Sequence, residues 1–281
     1  MKRRSHAARI AAEHLLKMLT GRRYAIACGR GSAVIETALR AINAQNRVVL
    51  IPANTCYAVL WAVLRSGAIP QLVDIDPQTG NVSVETLEQA GIDHPAAVIP
   101  CHLYGMPAPM QAITAWAHAR GAFVIEDAAL AIGARVDDQP AGSWGDVSLF
   151  SFGTGKIIDV GNGGAALTDD PALAEVMRAA LDALPMLNEH TDRLIEGWAE
   201  LYWAMHRHEA ITPALAELYP RLFALYGETM AFRLPPDGWR ELPEAFDGLP
   251  ANLAHRAALA AIYDAAFPAQ IMIRRASGAV L

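Results

Sequence analysis

Cysteine and long apolar runs are scarce in this sequence, and positive charge is not in excess. The three cysteines, Cys28, Cys56 and Cys101, form no CxxC pair. That excludes a disulfide framework and a thiolate zinc site, and it fits a reducing compartment. The net charge of −6 argues against non-specific nucleic-acid binding. No apolar stretch is long enough to cross a membrane, and the N-terminus lacks the unbroken apolar core of a signal peptide. The expectation is a cytoplasmic protein that takes small molecules and binds neither nucleic acid, membrane nor metal.

Apolar bulk is plentiful. Hydrophobic residues make up 53% and charged residues 19% of 281 positions, enough to bury one large domain or two. Residues 1–23 depart from the average, with seven Lys/Arg and one Glu, a local +6 that leaves −12 for the remainder. His6, Arg9, Glu13, His14 and Lys17 interrupt their apolar residues. That pattern predicts an amphipathic helix packed on the body in preference to a membrane anchor.

From Tyr24 onward, short apolar runs alternate with helical periodicity. Strands are predicted over Tyr24–Cys28, Val48–Ile51, Ile69–Asp74, Ala96–Pro100, Phe123–Asp127, Val147–Phe152 and Gly164–Leu167. Helices are predicted over Ala33–Ile42, Ala58–Ser66, Val84–Ala90 and Met110–Arg120. Continuous apolar strands separated by helices indicate an α/β fold: a mostly parallel sheet in three layers, with helices on both faces. After Asp170 the pattern turns helical, over 171–184, 194–208, 214–226 and 251–266, with Pro220 set to kink or split the third. Ile271 starts like a strand. The chain then ends on the apolar Ala279-Val280-Leu281 without a stop signal, which suggests an interrupted fold with a core face left uncovered. The expected division is an N-terminal helix at 1–23, an α/β body at 24–180, and a helical region at 181–281.

In parallel sheets, ligands bind outside the carboxyl ends of the strands. Ser32, Tyr57, His102 and Asp127 each follow a predicted strand, and Lys156 follows the one ending at Phe152. Gly29-Arg30-Gly31-Ser32 opens a helix, an arrangement whose free N–H groups and dipole favour phosphate. A dinucleotide fingerprint fits poorly. Val34 holds the third glycine position, and Pro52-Ala53-Asn54 follows the next strand where an acid for a ribose hydroxyl is needed. A lone lysine between apolar strands is either exposed at a loop tip or used as an amine that condenses with a carbonyl. Asp127 is either a cap for the alanine-rich segment after it or a partner for a cationic ring nitrogen. Lysine, carboxylate and phosphate cradle together meet the needs of pyridoxal phosphate.

An ordered set of segments carries a family resemblance over residues 25–170. Gly31-Ser32-Ala33 is followed by Pro52-Ala53-Asn54-Thr55, Gly67-Ala68-Ile69-Pro70 and Val73-Asp74-Ile75-Asp76. Then come His102-Leu103-Tyr104-Gly105, Glu126-Asp127-Ala128-Ala129, Gly133-Ala134, Gly145-Asp146, Ser151-Phe152, Lys156 and Gly163-Gly164. The set resembles the sugar aminotransferases of the DegT/DnrJ/EryC1/StrS type, whose large domain has the fold-type-I aminotransferase architecture. The resemblance implies that Lys156 binds pyridoxal 5'-phosphate as a Schiff base and shuttles the substrate proton. It implies that Asp127 keeps the ring nitrogen protonated, and that Gly31, Ser32 and the Ser151 hydroxyl hold the phosphate. A side chain just after Asn54-Thr55 would stack on the ring, which leaves Cys56 or Tyr57. His102 is a secondary candidate for the substrate side.

The implied reaction moves an amino group from glutamate to a keto sugar linked to a nucleotide, for cell-surface polysaccharide or secondary-metabolite synthesis, in a homodimer. Lys156 argues against the related dehydratase branch, which lacks the lysine. Three departures favour a second reading, a catalytically inactive or truncated relative that keeps the cofactor-binding body for assembly or regulation. Leu130 stands where many relatives carry Gln or His on the cofactor's ring oxygen. The helical region matches poorly, with Asn252, near Arg256, as the only candidate to reach across a dimer. The sequence stops about where the small C-terminal sheet domain of relatives is expected to begin. A nicotinamide dehydrogenase is a third reading, against which the absent acid after Ile51 counts.

Overall fold

The computed structural model describes residues 2–207, 212–267 and 276–280. The expected strand at Ile271, the end of the expected helix at His208, and Leu281 lie outside the described residues. Strands are β1 (Tyr24–Cys28), β2 (Val48–Pro52), β3 (Ile69–Val73), β4 (Ala97–Val98), β5 (Phe123–Asp127), β6 (Arg135–Val136), β7 (Gln139–Pro140), β8 (Val147–Ser151) and β9 (Gly164–Thr168). Helices of the first half are α1 (Lys2–Thr20), α2 (Gly31–Ala41), α3 (Tyr57–Arg65), α4 (Val84–Gln89) and α5 (Met110–Ala119). The second half adds α6 (Pro171–Asp182), α7 (Glu189–His206), α8 (Pro213–Ala216), α9 (Tyr219–Met230), α10 (Leu242–Asp247) and α11 (Leu249–Ala266).

Seven strands form one sheet in the order β1-β9-β8-β5-β4-β2-β3. The run from β8 to β3 is parallel, while β9 pairs antiparallel with both β8 and β1. The expected mostly parallel sheet is therefore present. Alternate residues of each strand feed different cores, as a period of two requires. Val49 and Ile51, Ile125, and Val147 and Leu149 join one cluster with α2, α3, α6, α7 and α9. Leu50, Val98 and Val124 face a second cluster with α4 and α5. Ala25, Phe150 and Leu167 pack in a third with α1 and α10. Both faces are thus covered, which is why the strands read as continuous apolar runs.

The helix expected from residue 194 starts earlier because Asn188 caps it, with Oδ1 accepting from the Thr191 N–H at 3.0 Å. The segment 214–226 is split, as the proline suggested. α8 stops at Ala216, and Pro220 sits in the first turn of α9, where a missing N–H costs nothing. The β6–β7 hairpin was not anticipated. Asp137 and Asp138 form its tip with φ of 47° and 62°, the left-handed pair that a two-residue turn demands.

The basic helix α1 packs on the body. Ala12 and Leu16 are fully buried. Glu13 takes both arms of Arg178 at 3.0 and 3.1 Å, Arg9 at 3.3 Å, and the Ala27 N–H at 3.0 Å. Glu13→Ala leaves the Ala27 N–H without its acceptor, Arg178 with the Ala25 carbonyl, and Arg9 with Asp182 and the Ala27 carbonyl. It should cost about 2 kcal/mol, because Arg178 is partly exposed and the pair is only partly desolvated. Urea denaturation of the variant beside wild type measures it.

Candidate active site

Gly31, Ser32, Ser151 and Asp127 lie at strand ends along the carboxyl-end rim of the sheet, with Lys156 in the loop after β8. α2 starts directly after β1, and no side chain caps it; Arg30, at the cap position, is extended with φ of −151°. The start of α2 thus lacks a side-chain acceptor, and such helix N-termini are places where anions bind. Gly31 lies hard against β8. A Cβ there would stand 3.1 Å from the Phe150 carbonyl oxygen and 3.2 Å from the Ser151 Cβ. The absence of a side chain at Gly31 thus brings the Ser151 hydroxyl beside the start of α2. Ser32 is half-buried, and its side chain lies near the buried Tyr226 phenol from α9.

Asp127 ends β5, paired with Leu149 of β8. Its Oδ1 accepts from the Ala129 N–H at 2.9 Å, so the carboxylate does cap the following turn. The Cys101 thiol donates to the other oxygen, Oδ2, at 3.7 Å. Lys156 lies in the loop between β8 and β9. Asp159 holds that loop, accepting from Gly155 N–H at 2.8 Å and Gly161 N–H at 2.9 Å. Asn252 of α11 donates to the Ile157 carbonyl at 2.8 Å and is itself oriented by Arg256 at 2.9 Å. The side chain considered for a cross-dimer role thus binds the lysine loop of its own chain. Among the described residues, the Lys156 ammonium makes no ion pair or hydrogen bond.

Cys56 links the lysine and the carboxylate. Cys56 is exposed as a residue, yet desolvation by the chain around its sulfur pushes the thiol pKa up, and the thiol also feels Lys156, which lowers it, and Asp127, which raises it. Tyr57 instead turns into an aromatic cluster with Trp61, Trp198, Tyr202 and Tyr226, at centroid distances of 4.7 to 5.6 Å. Such pairs are each worth about 1 kcal/mol beyond area burial. Between the two residues left open after Asn54-Thr55, it is Cys56 that stands beside the lysine and the acid.

His102 is not brought to the rim. It is 1% exposed. Its Nδ1 accepts from the Ala108 N–H at 2.9 Å, so the proton sits on Nε2, which donates to Glu126 at 2.9 Å. With both ring nitrogens occupied, no edge is left for a substrate, which corrects the expectation from the sequence. Glu126, fully buried, also accepts from the Gly142, Trp144 and Gly145 N–H groups and the Ser148 hydroxyl. Burial pushes its pKa up, but the bonds from His102, Ser148 and Gly142 outweigh burial and hold it at about 2.

Cys101, Asp159 and Tyr226 join these residues without being candidates from the sequence. Cys101 was findable by register: Val98 pairs with Val124, which places Cys101 opposite Asp127 three residues on. Asp159, three residues after Lys156 and two before Gly161, had the spacing of a loop anchor. Tyr226 carried no local signal.

The residues present suit a phosphorylated ring that bears a carbonyl and a basic nitrogen. The groups present along these strand ends are an uncapped helix start with a serine nearby, a carboxylate, and an amine with no partner among the described residues.

Residues 9–196 match the model of the DegT/DnrJ/EryC1/StrS aminotransferase family. The chain is 40% identical over 158 residues to a "Pleiotropic regulatory protein" of Geobacillus stearothermophilus, covering 56% of this chain and 42% of that one. A GDP-perosamine synthase of Caulobacter vibrioides is 40% identical over 159 residues, 56% of this chain and 43% of the other. Among solved structures, NtdA from Bacillus subtilis, with bound cofactor PMP, superposes with a TM-score of 0.56 at 34% identity, covering 60% of this chain and 39% of that one. The chain spans less than half the length of the curated relatives it matches.

Proposed function

The chain belongs to the DegT/DnrJ/EryC1/StrS aminotransferase family, and on that premise we propose that it is a pyridoxal-phosphate aminotransferase acting on a keto sugar linked to a nucleotide. What supports this reading is backbone geometry: Gly31 at the start of α2 packs against Ser151 at the end of β8, and Asp127 ends β5, the parallel neighbour of β8, with Lys156 in the loop that follows. The N–H groups of Gly31 and Ser32 and the Ser151 hydroxyl bind the phosphate. Asp127 would hold a proton on the ring nitrogen, and Cys56 is the residue that would flank the ring. Bound there, pyridoxal phosphate supplies an electron sink for the carbanion formed when the substrate carbon loses its proton. Lys156 Nζ takes that proton and returns it elsewhere, general acid–base work that needs an amine free of other partners.

Glutamate is the proposed donor. The nucleotide end of the acceptor supplies binding energy that places the sugar over the lysine. We assign residues 24–180 to the cofactor-binding body and 181–281 to the helical region, in a cytoplasmic homodimer. Among the described residues no helix is long and apolar enough to cross a membrane.

The test is direct. Purified protein supplied with pyridoxal phosphate should turn yellow, and borohydride should leave a reduced adduct on Lys156 in peptide mass spectrometry. An adduct on Lys17, or none, sinks the reading. An adduct on Lys156 without turnover of glutamate and any keto-sugar nucleotide would favour the non-catalytic relative instead.

A further inference from the structure

We propose that Cys101 is a positioning residue for Asp127, tying that carboxylate through Thr55 to the loop that carries Cys56. The proposal rests on the functional reading above and extends it to a residue that touches neither cofactor nor substrate.

Cys101 is 2% exposed and lies just past β4, bridged in parallel register to Asp127. Backbone bonds flank the pair: Asp127 N–H to the Pro100 carbonyl and His102 N–H to the Asp127 carbonyl, both at 2.9 Å. The two side chains are therefore held side by side by the sheet. The sulfur is 3.7 Å from Asp127 Oδ2, 3.2 Å from Thr55 Oγ1 and 3.6 Å from the Ile99 carbonyl oxygen. Oδ1 is already taken by the Ala129 N–H, so the thiol is what fixes the rotation of the second oxygen.

Burial and the adjacent Asp127 charge raise the thiol well above its ordinary range, so it remains S–H and acts as a donor. A thiol has a single proton and a weak acceptor sulfur. The charged Oδ2 is a stronger acceptor than the neutral Ile99 carbonyl at a similar distance, so the S–H goes to Oδ2 and the Thr55 O–H donates to sulfur. Thr55 neighbours Cys56, so the ring-facing loop and the ring-nitrogen acid are linked by one side chain from a third strand end. The chemistry of the link also matters. A thiol donates weakly, so it orients the carboxylate while withdrawing little of its negative charge, which a proton on a ring nitrogen needs. A hydroxyl in its place would withdraw more.

Two measurements on the full chain test this. In the cofactor-free protein, the infrared S–H stretching band lost in Cys101→Val assigns the thiol, and Asp127→Asn should move that band to higher frequency as the bond to a charged oxygen weakens. In the protein loaded with pyridoxal phosphate, Cys101→Val should weaken cofactor binding about tenfold and move the pH midpoint of the bound cofactor's colour change. Cys101→Ser should restore binding and move the midpoint the other way, a split that loss of packing does not produce. An S–H band indifferent to Asp127→Asn overturns the proposal, as does a Cys101→Val protein that binds and titrates like wild type. Failure of wild type to bind the cofactor would count against the functional reading alone, while the infrared comparison still decides the thiol–carboxylate contact.

Discussion

Lys156→Ala should leave the protein folded and abolish amino transfer. The structure separates these two outcomes cleanly. The Lys156 ammonium makes no ion pair or hydrogen bond among the described residues, and the loop around it is held by Asp159 and Asn252. Truncating the side chain removes no support, so the denaturation midpoint should stay close to wild type. Turnover should fall by roughly 10³-fold or more, the scale of a lost general acid–base group. Borohydride should leave no adduct on the variant. Lys156→Arg should be as inactive, because a guanidinium keeps its proton and neither condenses with a carbonyl nor shuttles. A variant that retains turnover would move the chemistry to another amine and undo the functional reading.

Glu126→Gln should be the most destabilising single substitution in the body. Five donors converge on this carboxylate: His102, the N–H groups of Gly142, Trp144 and Gly145, and Ser148. An amide places its own NH2 against some of them. Arg22 holds the same turn from the other side, donating to the Gly142 and Gly145 carbonyls and to Ser148. The expected loss is about 4 kcal/mol, the cost of leaving buried donors unpaired around a neutralised acid. The pH dependence carries a sign. A carboxyl held at about 2 in the folded chain and near 4.5 when unfolded stabilises the fold fully above pH 4.5. That contribution, on the order of 3 kcal/mol, is lost as pH falls through 4.5 toward 2. Urea midpoints measured between pH 5 and pH 2.5 should fall less steeply for Glu126→Gln than for wild type. Parallel slopes would show that acid sensitivity lies elsewhere.

What could be read from the sequence followed from local rules. Apolar strands separated by amphipathic helices gave the sheet, and Gly31-Ser32, Asp127 and Lys156 each announced themselves by position after a strand. The misplaced residues depended on partners distant in the chain. His102 follows a strand like the others, but its fate turns on the Ala108 N–H and on Glu126, whose side chain points away from that of Asp127. Tyr57 is drawn into the aromatic cluster by Trp198, Tyr202 and Tyr226, more than 140 residues further on. Helix α7 began early because a single asparagine outweighed the apolar period.

The turn leading into α2 is also bounded from above. A Cβ on Gly29 would fall 2.1 Å from the Phe232 carbonyl oxygen, so the segment leaving α9 lies directly on the glycine. The helical second half of the chain is thereby keyed to the anion turn through one missing methyl. A designer who transplants a relative's helices onto this body inherits that notch as a lock. Chimaeras whose incoming segment lacks matching backbone at the Phe232 position would carry an ill-seated anion turn, however well their apolar surfaces agree.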